Sequence, residues 1–308
     1  MERLVVARRH GSPDLSPRAA TQYHAALSRL PWADAHRQVV GAFDERGALL
    51  ASVERLALTG VLDGTPARIC LVGAIAEYEA TDARPAGLLM TQVLEEAARE
   101  GVDLALMVGD HDVPMSDGAY RVPTSDVTLR VIESSRRGAP MVPVRSGDHG
   151  DFAAMAAMPP LGGDTGGLLV DRPADYLEFC VTRARLRAGL DREGARQVQF
   201  LVVEEGGRAA AYAIISIVGT TWLVEACGDC DPSGARVGAI LQTLVATEPM
   251  ERRPLIQAWW PSPVIPPQVA EVSARPSADA LWVHPLVSSR AAAALDRGDI
   301  RLWRLDLP

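Results

Sequence analysis

Apolar and polar positions alternate with two different periods along the chain, and this pattern predicts a protein that mixes strands with helices. Val39–Glu45 and Ala48–Leu58 alternate with a period of two and are joined by an Arg46-Gly47 turn, which predicts an antiparallel pair with one buried face. Ala67–Glu79 follows as a long and strongly apolar run. Such a run is typical of a strand that is covered on both faces, so we expect it at the centre of a sheet.

A helix is predicted directly after this central strand. Thr81 or Asp82 can cap its start, and Pro85 fits only in a first turn. Gly101 stands where a left-handed C-terminal cap is expected. The apolar residues between these ends fall on one helical face, namely Leu88, Val93, Leu94, Ala97 and Ala98.

The order of elements then repeats. Thr124–Ser134 is predicted as the last strand of the first half, and a polar linker, Ser135–Pro140, separates it from a second series of helices, hairpin, long strand and helix. The two long strands also look alike, with LVGAIAE at Leu71–Glu77 and LVEACGD at Leu223–Asp229. This internal duplication divides the chain into two predicted domains, Met1–Ala139 and Pro140–Pro308.

The composition narrows the class of protein. The chain has 308 residues, of which 48% are hydrophobic and 23% charged, as in an ordinary globular protein of about two domains. A formal charge of −8 and a pI near 5.3 argue against a nucleic-acid binder and against a basic protein of the membrane surface. No apolar run reaches the roughly 18 residues of a membrane span, and the N-terminus lacks the features of a signal peptide. Four cysteines are too few for a disulfide scaffold in a chain of this length, so we expect a cytoplasmic protein.

The most informative segment for chemistry is the predicted strand, turn and helix of Cys70–Asp110. A helix N-terminus presents backbone N–H groups without an intrahelical partner and the positive end of the helix dipole. Small residues let a pyrophosphate approach those groups closely. The turn Arg84-Pro85-Ala86-Gly87-Leu88-Leu89 therefore indicates an anion site. The same arrangement without a ligand is common in α/β proteins, so the spacing alone leaves both interpretations open.

This turn resembles the coenzyme-binding turn of the Gcn5-related N-acetyltransferases (GNATs), which reads Arg/Gln-x-x-Gly-x-Gly/Ala. Arg84 and Gly87 match that pattern, whereas Leu89 replaces its last small residue. The segment Asp117–Val131 also resembles the closing part of GNAT domains similar to the enhanced-intracellular-survival acetyltransferases. The matching residues there are Gly118, Val122, Pro123 and Thr124.

The resemblance implies a fold of the α/β (α+β) class, with two tandem GNAT-like domains that each hold a mixed, mostly antiparallel sheet flanked by helices. It also implies that the first domain binds acetyl-CoA as co-substrate, with the pantetheine arm added to the edge of the central strand. The second domain lacks the arginine pattern at its equivalent turn, Asp231–Gly234, and is expected to be degenerate. The coenzyme-binding residues implied by position are Glu79, Ala80, Thr81, Arg84, Pro85, Ala86, Gly87, Leu88 and Leu89.

The resemblance also implies a reaction in which an amine attacks the thioester directly, with a glutamate or a water as base and often a tyrosine as acid. Glu77 and Glu79 point to the same side of the strand, so either is the candidate base. The family's tyrosine position aligns with Pro114, and Ala119 replaces the usual phenylalanine. Two functions therefore stay open. The first is an N-acyltransferase that acetylates a primary amine of a small molecule or protein, and the second is a catalytically silent protein that binds acyl-CoA or a partner.

Two further features offer alternative chemistry. Cys227 and Cys230 form a C-x-x-C pair, which is typical of a zinc half-site or a redox pair, but no second pair of ligands accompanies it. We therefore expect no metal. His111 follows a predicted buried strand between two aspartates and is an alternative acid or base at neutral pH. We expect neither a nucleic acid nor a membrane as partner, and the sequence leaves a homo-oligomer open.

Overall fold

A computed structural model of the chain describes residues 17–77, 85–109, 118–122, 124–132, 142–162, 167–190, 196–249, 254–259, 264–277, 280–287 and 300–307. The α-helices within these ranges are α1 (Pro17–Leu27), α2 (Pro31–His36), α3 (Pro85–Arg99), α4 (Phe152–Ala156), α5 (Ala174–Gly189) and α6 (Ala235–Thr247). Short 3₁₀ turns span His149–Asp151 and Arg304–Asp306. The strands are β1 (Arg37–Phe43), β2 (Leu49–Leu62), β3 (Thr65–Glu77), β4 (Leu104–Gly109), β5 (Tyr120–Val122), β6 (Ser125–Val131), β7 (Val144–Ser146), β8 (Leu168–Val170), β9 (Arg196–Glu205), β10 (Arg208–Val218), β11 (Thr221–Asp229), β12 (Leu255–Trp259), β13 (Val269–Pro276), β14 (Ala280–Pro285) and β15 (Ile300–Arg301).

These strands form two mixed sheets. The first has the strand order β15–β8–β2–β3–β4–β14–β5, with β1 paired to β2. The second has the order β13–β6–β12–β11–β10–β9–β7. Most neighbouring strands are antiparallel, and the parallel pairs are β3–β4, β8–β15 and β11–β12. Because α3 connects β3 to β4 and α6 connects β11 to β12, each sheet contains one strand–helix–strand unit at its centre, as the sequence pattern predicts.

The two halves of the chain exchange strands between the sheets. The segment predicted as the last strand of the first half is β6, and it pairs with β12 and β13 in the second sheet. The predicted strand is thus confirmed, but its partners lie in the second sheet and not among the other strands of the first half. Its buried face explains the placement, since Leu129 and Val131 pack in the same apolar cluster as Ile256 and Val269. In return, β14 pairs with β4 and β5 in the first sheet.

The boundary proposed between the two domains lies outside the described residues and stays a prediction. The predicted linker, Ser135–Pro140, falls within the range 133–141, of which the structure describes nothing. On either side of that range, β6 joins the second sheet and β8 joins the first. The pairing of strands therefore does not follow a single division of the chain.

Helix α3 is held against the first sheet by its apolar face. Leu89, Val93 and Ala97 are each at most 2% exposed and pack in one cluster with strand residues that include Val72 and Met107. Gly101 has a φ of 74°, in the left-handed region where glycine is favoured, and its N–H donates to the carbonyl of Ala98. The predicted C-terminal cap is thus confirmed. The cap and the apolar face together fix the position of the first turn of α3.

Buried arginines hold the C-terminal segment against α5. Arg183 is 2% exposed, and its Nη2 donates to the carbonyl oxygens of Leu305 and Leu307 at 2.6 and 2.7 Å. Arg172 Nε donates to Asp306 Oδ1 at 3.0 Å. A guanidinium satisfies several acceptors from one planar group, so these contacts satisfy backbone carbonyls that burial would otherwise leave without a donor.

Candidate functional site

The parallel pair at the centre of the first sheet separates before its strands end. The ladder between β3 and β4 covers four residue pairs and stops at Val72 and Met107. β3 nevertheless continues to Glu77, because β2 pairs with it as far as Ala51. β4 likewise continues to Gly109, because β14 pairs with it along its whole length. Each strand is thus supported on its outer side while the inner sides lose contact, which opens a gap at the carboxyl ends of β3 and β4.

A β-bulge in β3 begins where the ladder stops. Val53 of β2 pairs with Ile75, whereas Arg55 pairs with Val72, so Gly73 and Ala74 together face a single residue of β2. A bulge increases the local twist and bends its strand. It therefore turns β3 away from β4, and β4 supplies no ladder partner to residues 73–77. Their backbone groups on that side form an edge to which an extended ligand can add as a further strand.

The first turn of α3 follows this edge after residues 78–84. It contains no acidic residue, and a Cβ built on Gly87 would meet nothing within 4 Å. Core packing therefore does not require glycine at this position, whereas a bound group close to the backbone would benefit from it. Backbone N–H groups in a first turn and the positive end of the helix dipole favour an anion here.

The described part of the predicted coenzyme turn divides into buried and open positions. Pro85 and Ala86 are buried, and Leu89 is 2% exposed within the apolar cluster under α3. The side chain of Leu89 is therefore part of the core, which leaves only its backbone for a ligand. Leu88 is 69% exposed, and Gly87 is partly exposed. The surface of the turn that is open to a ligand thus consists mainly of Gly87 and Leu88.

The remaining predicted site residues lie outside the described residues. The backbone of Glu77 ends β3, but the structure gives no account of its side chain. Glu79, Ala80, Thr81 and Arg84 fall within 78–84, which the structure does not describe. His111 and Pro114 fall within 110–117, which is also not described. The roles of these residues in catalysis and coenzyme binding therefore stay predictions.

The second sheet repeats the geometry of the first. Its parallel ladder between β11 and β12 also covers four pairs and stops at Val224. One residue later, β11 has a bulge at Glu225, because Ile214 pairs with Ala226 and Ile215 with Val224. Superposing the two ladders by register places Glu225 at the position of Gly73. β3 and β11 thus resemble each other in sequence, and each also has a bulge directly after its parallel ladder.

In this second copy, the start of the helix is already occupied by a carboxylate of the protein. Asp229, which corresponds to Glu77, is fully buried. Its oxygens accept hydrogen bonds from the N–H of Asp231 at 2.8 Å, the N–H of Arg236 at 2.8 Å and Arg236 Nη1 at 3.0 Å. This carboxylate accepts a hydrogen bond from a backbone N–H in the first turn of α6. Its negative charge repels a second anion at the same place. A pyrophosphate is therefore not expected at α6.

A second carboxylate of this copy, on Glu225, is also paired with protein groups. Glu225 is 4% exposed, and its Oε1 accepts a hydrogen bond from Arg196 Nη2 at 2.7 Å. Arg304 Nε lies 3.8 Å from Glu225 Oε2. This carboxylate is thus already engaged by one guanidinium and lies close to a second. The second copy thus lacks both a vacant anion site and an available base at these positions.

The C-x-x-C pair is not arranged as a metal site. Cys227 is buried, and burial raises the pKa of its thiol, whereas Cys230 is exposed. Within the described residues, no group of three or more His, Cys, Asp or Glu side chains is placed to hold a metal ion. No helix in this part of the chain is both long and apolar enough to cross a membrane.

Sequence reasoning missed the role of Asp229. In the sequence, Asp229 stands out only as the last residue of a predicted strand that resembles LVGAIAE. A usable signal was the spacing to Arg236, since an acid at the end of a strand can cap a helix that begins a few residues later. The residues around Arg172 that line a cavity in the second half were missed as well.

Comparison with known proteins shows the fold. Neither the protein-family models nor the sequences of curated proteins give a match. Among solved structures, a probable N-acyltransferase from Enterococcus faecalis is similar with a TM-score of 0.57 and 12% identity, over 91% of this chain and 73% of that one. Eis1 from Mycobacterium abscessus is similar with a TM-score of 0.55 and 19% identity, over 92% of this chain and 76% of that one.

A third similar structure is the N-myristoyltransferase of Saccharomyces cerevisiae with bound myristoyl-CoA. Its TM-score is 0.50 and its identity 10%, over 85% of this chain and 72% of that one. The chain therefore has the fold of the GNAT N-acetyltransferases, with two mixed sheets flanked by helices. The fold class expected from the sequence is confirmed, including its likeness to the tandem type that Eis1 represents.

Replacement of Asp229 by asparagine tests whether this carboxylate holds the start of α6. The change keeps the size of the side chain but removes the charge that pairs with Arg236. We expect the free energy of unfolding in urea to fall by about 2 kcal/mol, since a buried hydrogen bond to a charged group contributes about 1.5–3 kcal/mol.

Glu205→Gln is the matched control, because Glu205 pairs with the same arginine but its side chain is 56% exposed. An exposed pair contributes less than about 1 kcal/mol. Equal losses in the two variants would show that Asp229 is only one more partner of Arg236 and does not cap the helix.

Proposed function

We propose that the chain is an N-acyltransferase that moves an acetyl group from acetyl-CoA to a primary amine of a small molecule or protein. The observation that carries this proposal is the gap between β3 and β4, where both strands continue after their shared ladder has ended. An extended pantetheine arm fits such an edge, because its amide groups can pair with backbone groups as a strand would.

The start of α3 supports the same placement of the coenzyme. The pyrophosphate would lie at the first turn, where Gly87 leaves open space and the turn itself contains no acidic residue. Residues 78–84 connect the two parts of the site, with the strand edge holding the arm and the helix holding the phosphates. The similar structures from Enterococcus faecalis and Saccharomyces cerevisiae support acyl transfer as the reaction class.

The chemistry expected of the chain follows from this placement. A backbone N–H at the bulge of β3 would donate to the thioester oxygen and stabilise the negative charge that develops there. Glu77 or Glu79 would accept the proton that the amine loses as its nitrogen bonds to the acetyl carbon. The carbon–sulfur bond then breaks and the thiolate leaves. No acid is required for that step, since a thiolate is a tolerable leaving group, which is relevant because Pro114 aligns with the family's tyrosine.

A second candidate function is a catalytically silent protein that binds acyl-CoA or a partner. Pro114 and Ala119, which depart from the family pattern, favour this alternative. The two candidates share the coenzyme site and differ only in whether transfer follows. In either case, the formal charge of −8 mildly attracts a cationic acceptor such as an amine to the surface.

Binding of acetyl-CoA tests the placement of the site. We expect acetyl-CoA to raise the melting temperature, because a ligand at about 100 times its Kd stabilises the folded state by about 2.7 kcal/mol. Gly87→Glu and Arg84→Glu should each weaken binding about tenfold or more, because each change places a negative charge beside the phosphates. The affinities of the unchanged chain and of the two variants for acetyl-CoA are measured by titration calorimetry.

Thr91→Glu is the control for these variants, since it adds the same charge on the exposed side of α3 one turn farther along. It should lower the affinity much less. If Gly87→Glu binds as tightly as Thr91→Glu, the pyrophosphate does not lie at this turn.

Release of free thiol from acetyl-CoA over a panel of primary amines tests transfer. An acyltransferase gives amine-dependent thiol, and replacing its base by glutamine lowers kcat by about 10²–10⁴-fold. We expect one of Glu77→Gln and Glu79→Gln to show this loss while acetyl-CoA still binds. Binding without thiol release from any amine would contradict transfer and support the silent alternative.

A further inference from the structure

A cavity of about 190 Å³ lies in the second half of the chain, apart from the gap between β3 and β4. It is bordered by the end of α4 and the segment after it, the end of β8 and the start of α5, Tyr212 of β10, the carboxyl end of β11 and the C-terminal segment. None of its lining residues belongs to β3, β4 or α3. An inference about this cavity is therefore independent of the proposed acetyl-CoA site.

Part of the cavity wall is apolar. Met155, Leu161 and Leu177 are each at most 4% exposed and line it together with Trp303. The ring of Tyr212 lies across the neighbouring strand, where Gly228 has no side chain to obstruct it. A Cβ at that position would lie 2.5 Å from the ring. Such walls favour an apolar group over a fully hydrated one.

One wall carries a guanidinium with a free donor. Arg172 Nε donates to Asp306 Oδ1 at 3.0 Å, and its Nη1 donates to the hydroxyl of Tyr212 at 3.2 Å. Its Nη2 is buried and has no hydrogen-bond partner. An unpaired buried donor is costly, so native proteins usually satisfy it with a protein group, a water or a ligand. Two of the three nitrogens thus hold the group in place and the third can receive an acceptor.

The charges around the cavity favour an anion. Arg301 lines it with a second guanidinium, which donates to the carbonyl of Leu161 at 3.3 Å. Among the described residues that line the cavity, the one carboxylate is that of Asp171, which is exposed and accepts a hydrogen bond from Thr59 Oγ1 at 2.8 Å. This described part of the lining thus holds two guanidinium groups, of which Arg172 is paired with Asp306, and one carboxylate that is engaged by β2.

We propose that this cavity binds a small carboxylate that bears a short apolar chain. The carboxylate accepts a hydrogen bond from Arg172 Nη2, and the chain packs against Met155 and Leu177. The volume corresponds to about six times the 30 Å³ that a water occupies in the liquid. Butanoate, with six heavy atoms, is therefore a suitable probe.

The site is one of binding and not of covalent chemistry. Cys227 lines the cavity, but burial raises the pKa of its thiol far above neutral, so the thiolate that would act as a nucleophile is scarce. A bound carboxylate would connect the C-terminal segment, through Asp306 and Arg172, with β10, through Tyr212. It should therefore stabilise the folded chain.

Titration calorimetry with three four-carbon probes tests the proposal on the full chain. We expect butanoate to bind at least about tenfold more tightly than 1-butanol, because a charge-assisted hydrogen bond is lost with the alcohol. Butylammonium should not bind, because its charge is repelled by the guanidinium groups. Equal affinity for butanoate and 1-butanol, or no binding of butanoate, would overturn the proposal.

Two variants locate the binding. Arg172→Gln should weaken butanoate binding about tenfold or more, but it also removes the pair with Asp306 and can lower stability. Ala156→Phe avoids that problem, because Ala156 lines the cavity and is exposed, so the larger ring fills the cavity without entering the core. Ala157→Phe is its control, since Ala157 is equally exposed but does not line the cavity.

We expect butanoate to bind Ala157→Phe as it binds the unchanged chain and to be lost from Ala156→Phe. Retained binding in both phenylalanine variants would place butanoate elsewhere and refute the site. Acetyl-CoA binding should be unchanged in both, so failure of this proposal is distinguishable from failure of the proposed function.

Discussion

The short parallel ladder between β3 and β4 is the constraint on which the rest of the site depends. Four residue pairs hold the two strands together, and a bulge at Gly73 and Ala74 then turns β3 away. The strands can separate without fraying because β2 and β14 support their outer sides. A sheet normally uses every inner backbone group in its own ladder. Here the sheet leaves an edge in its interior, and the N-terminus of α3 follows it after residues 78–84.

The second sheet shows what distinguishes a site from the same geometry without one. It repeats the ladder and the bulge, yet Asp229 binds the first turn of α6 and Glu225 is paired with Arg196. In the first copy, β3 has Gly73 where β11 has Glu225. The fold therefore supplies two similar frames, and under the proposed function the first is the one that accepts the anion. β6 from the first half pairs in the second sheet, and β14 from the second half pairs in the first, so the exchanged strands connect the two frames.

Much of the fold could be predicted from the sequence, because periodicity reports local structure directly. The hairpin of β1 and β2, the central strand, the helix that begins at Pro85 and the glycine cap at Gly101 all lie where the pattern places them. The partner of β6 could not be predicted, since alternation shows that one face is buried but not against which sheet. The bulge was equally hidden, because it depends on register between two strands that are compatible with several pairings.

The candidate site was predictable only in part. Arg84 and Gly87 carry a recognisable pattern, and the open space at Gly87 agrees with a ligand at that turn. Leu89 was implied as a coenzyme contact by its position, yet its side chain belongs to the core, because it lies on the same helical face as the buried Pro85 four residues earlier. The cavity beside Arg172 has no local signature, since its described walls come from five separate stretches of the chain between Met155 and Trp303.

Amide hydrogen exchange with and without acetyl-CoA tests the central claim most directly, namely that the coenzyme uses the gap of the first sheet and not its counterpart. The account predicts slower exchange in peptides that cover residues 73–77 and 85–89, with no change at 225–229 and 235–239. Slower exchange in the second pair of segments, or no change in the first, would contradict it.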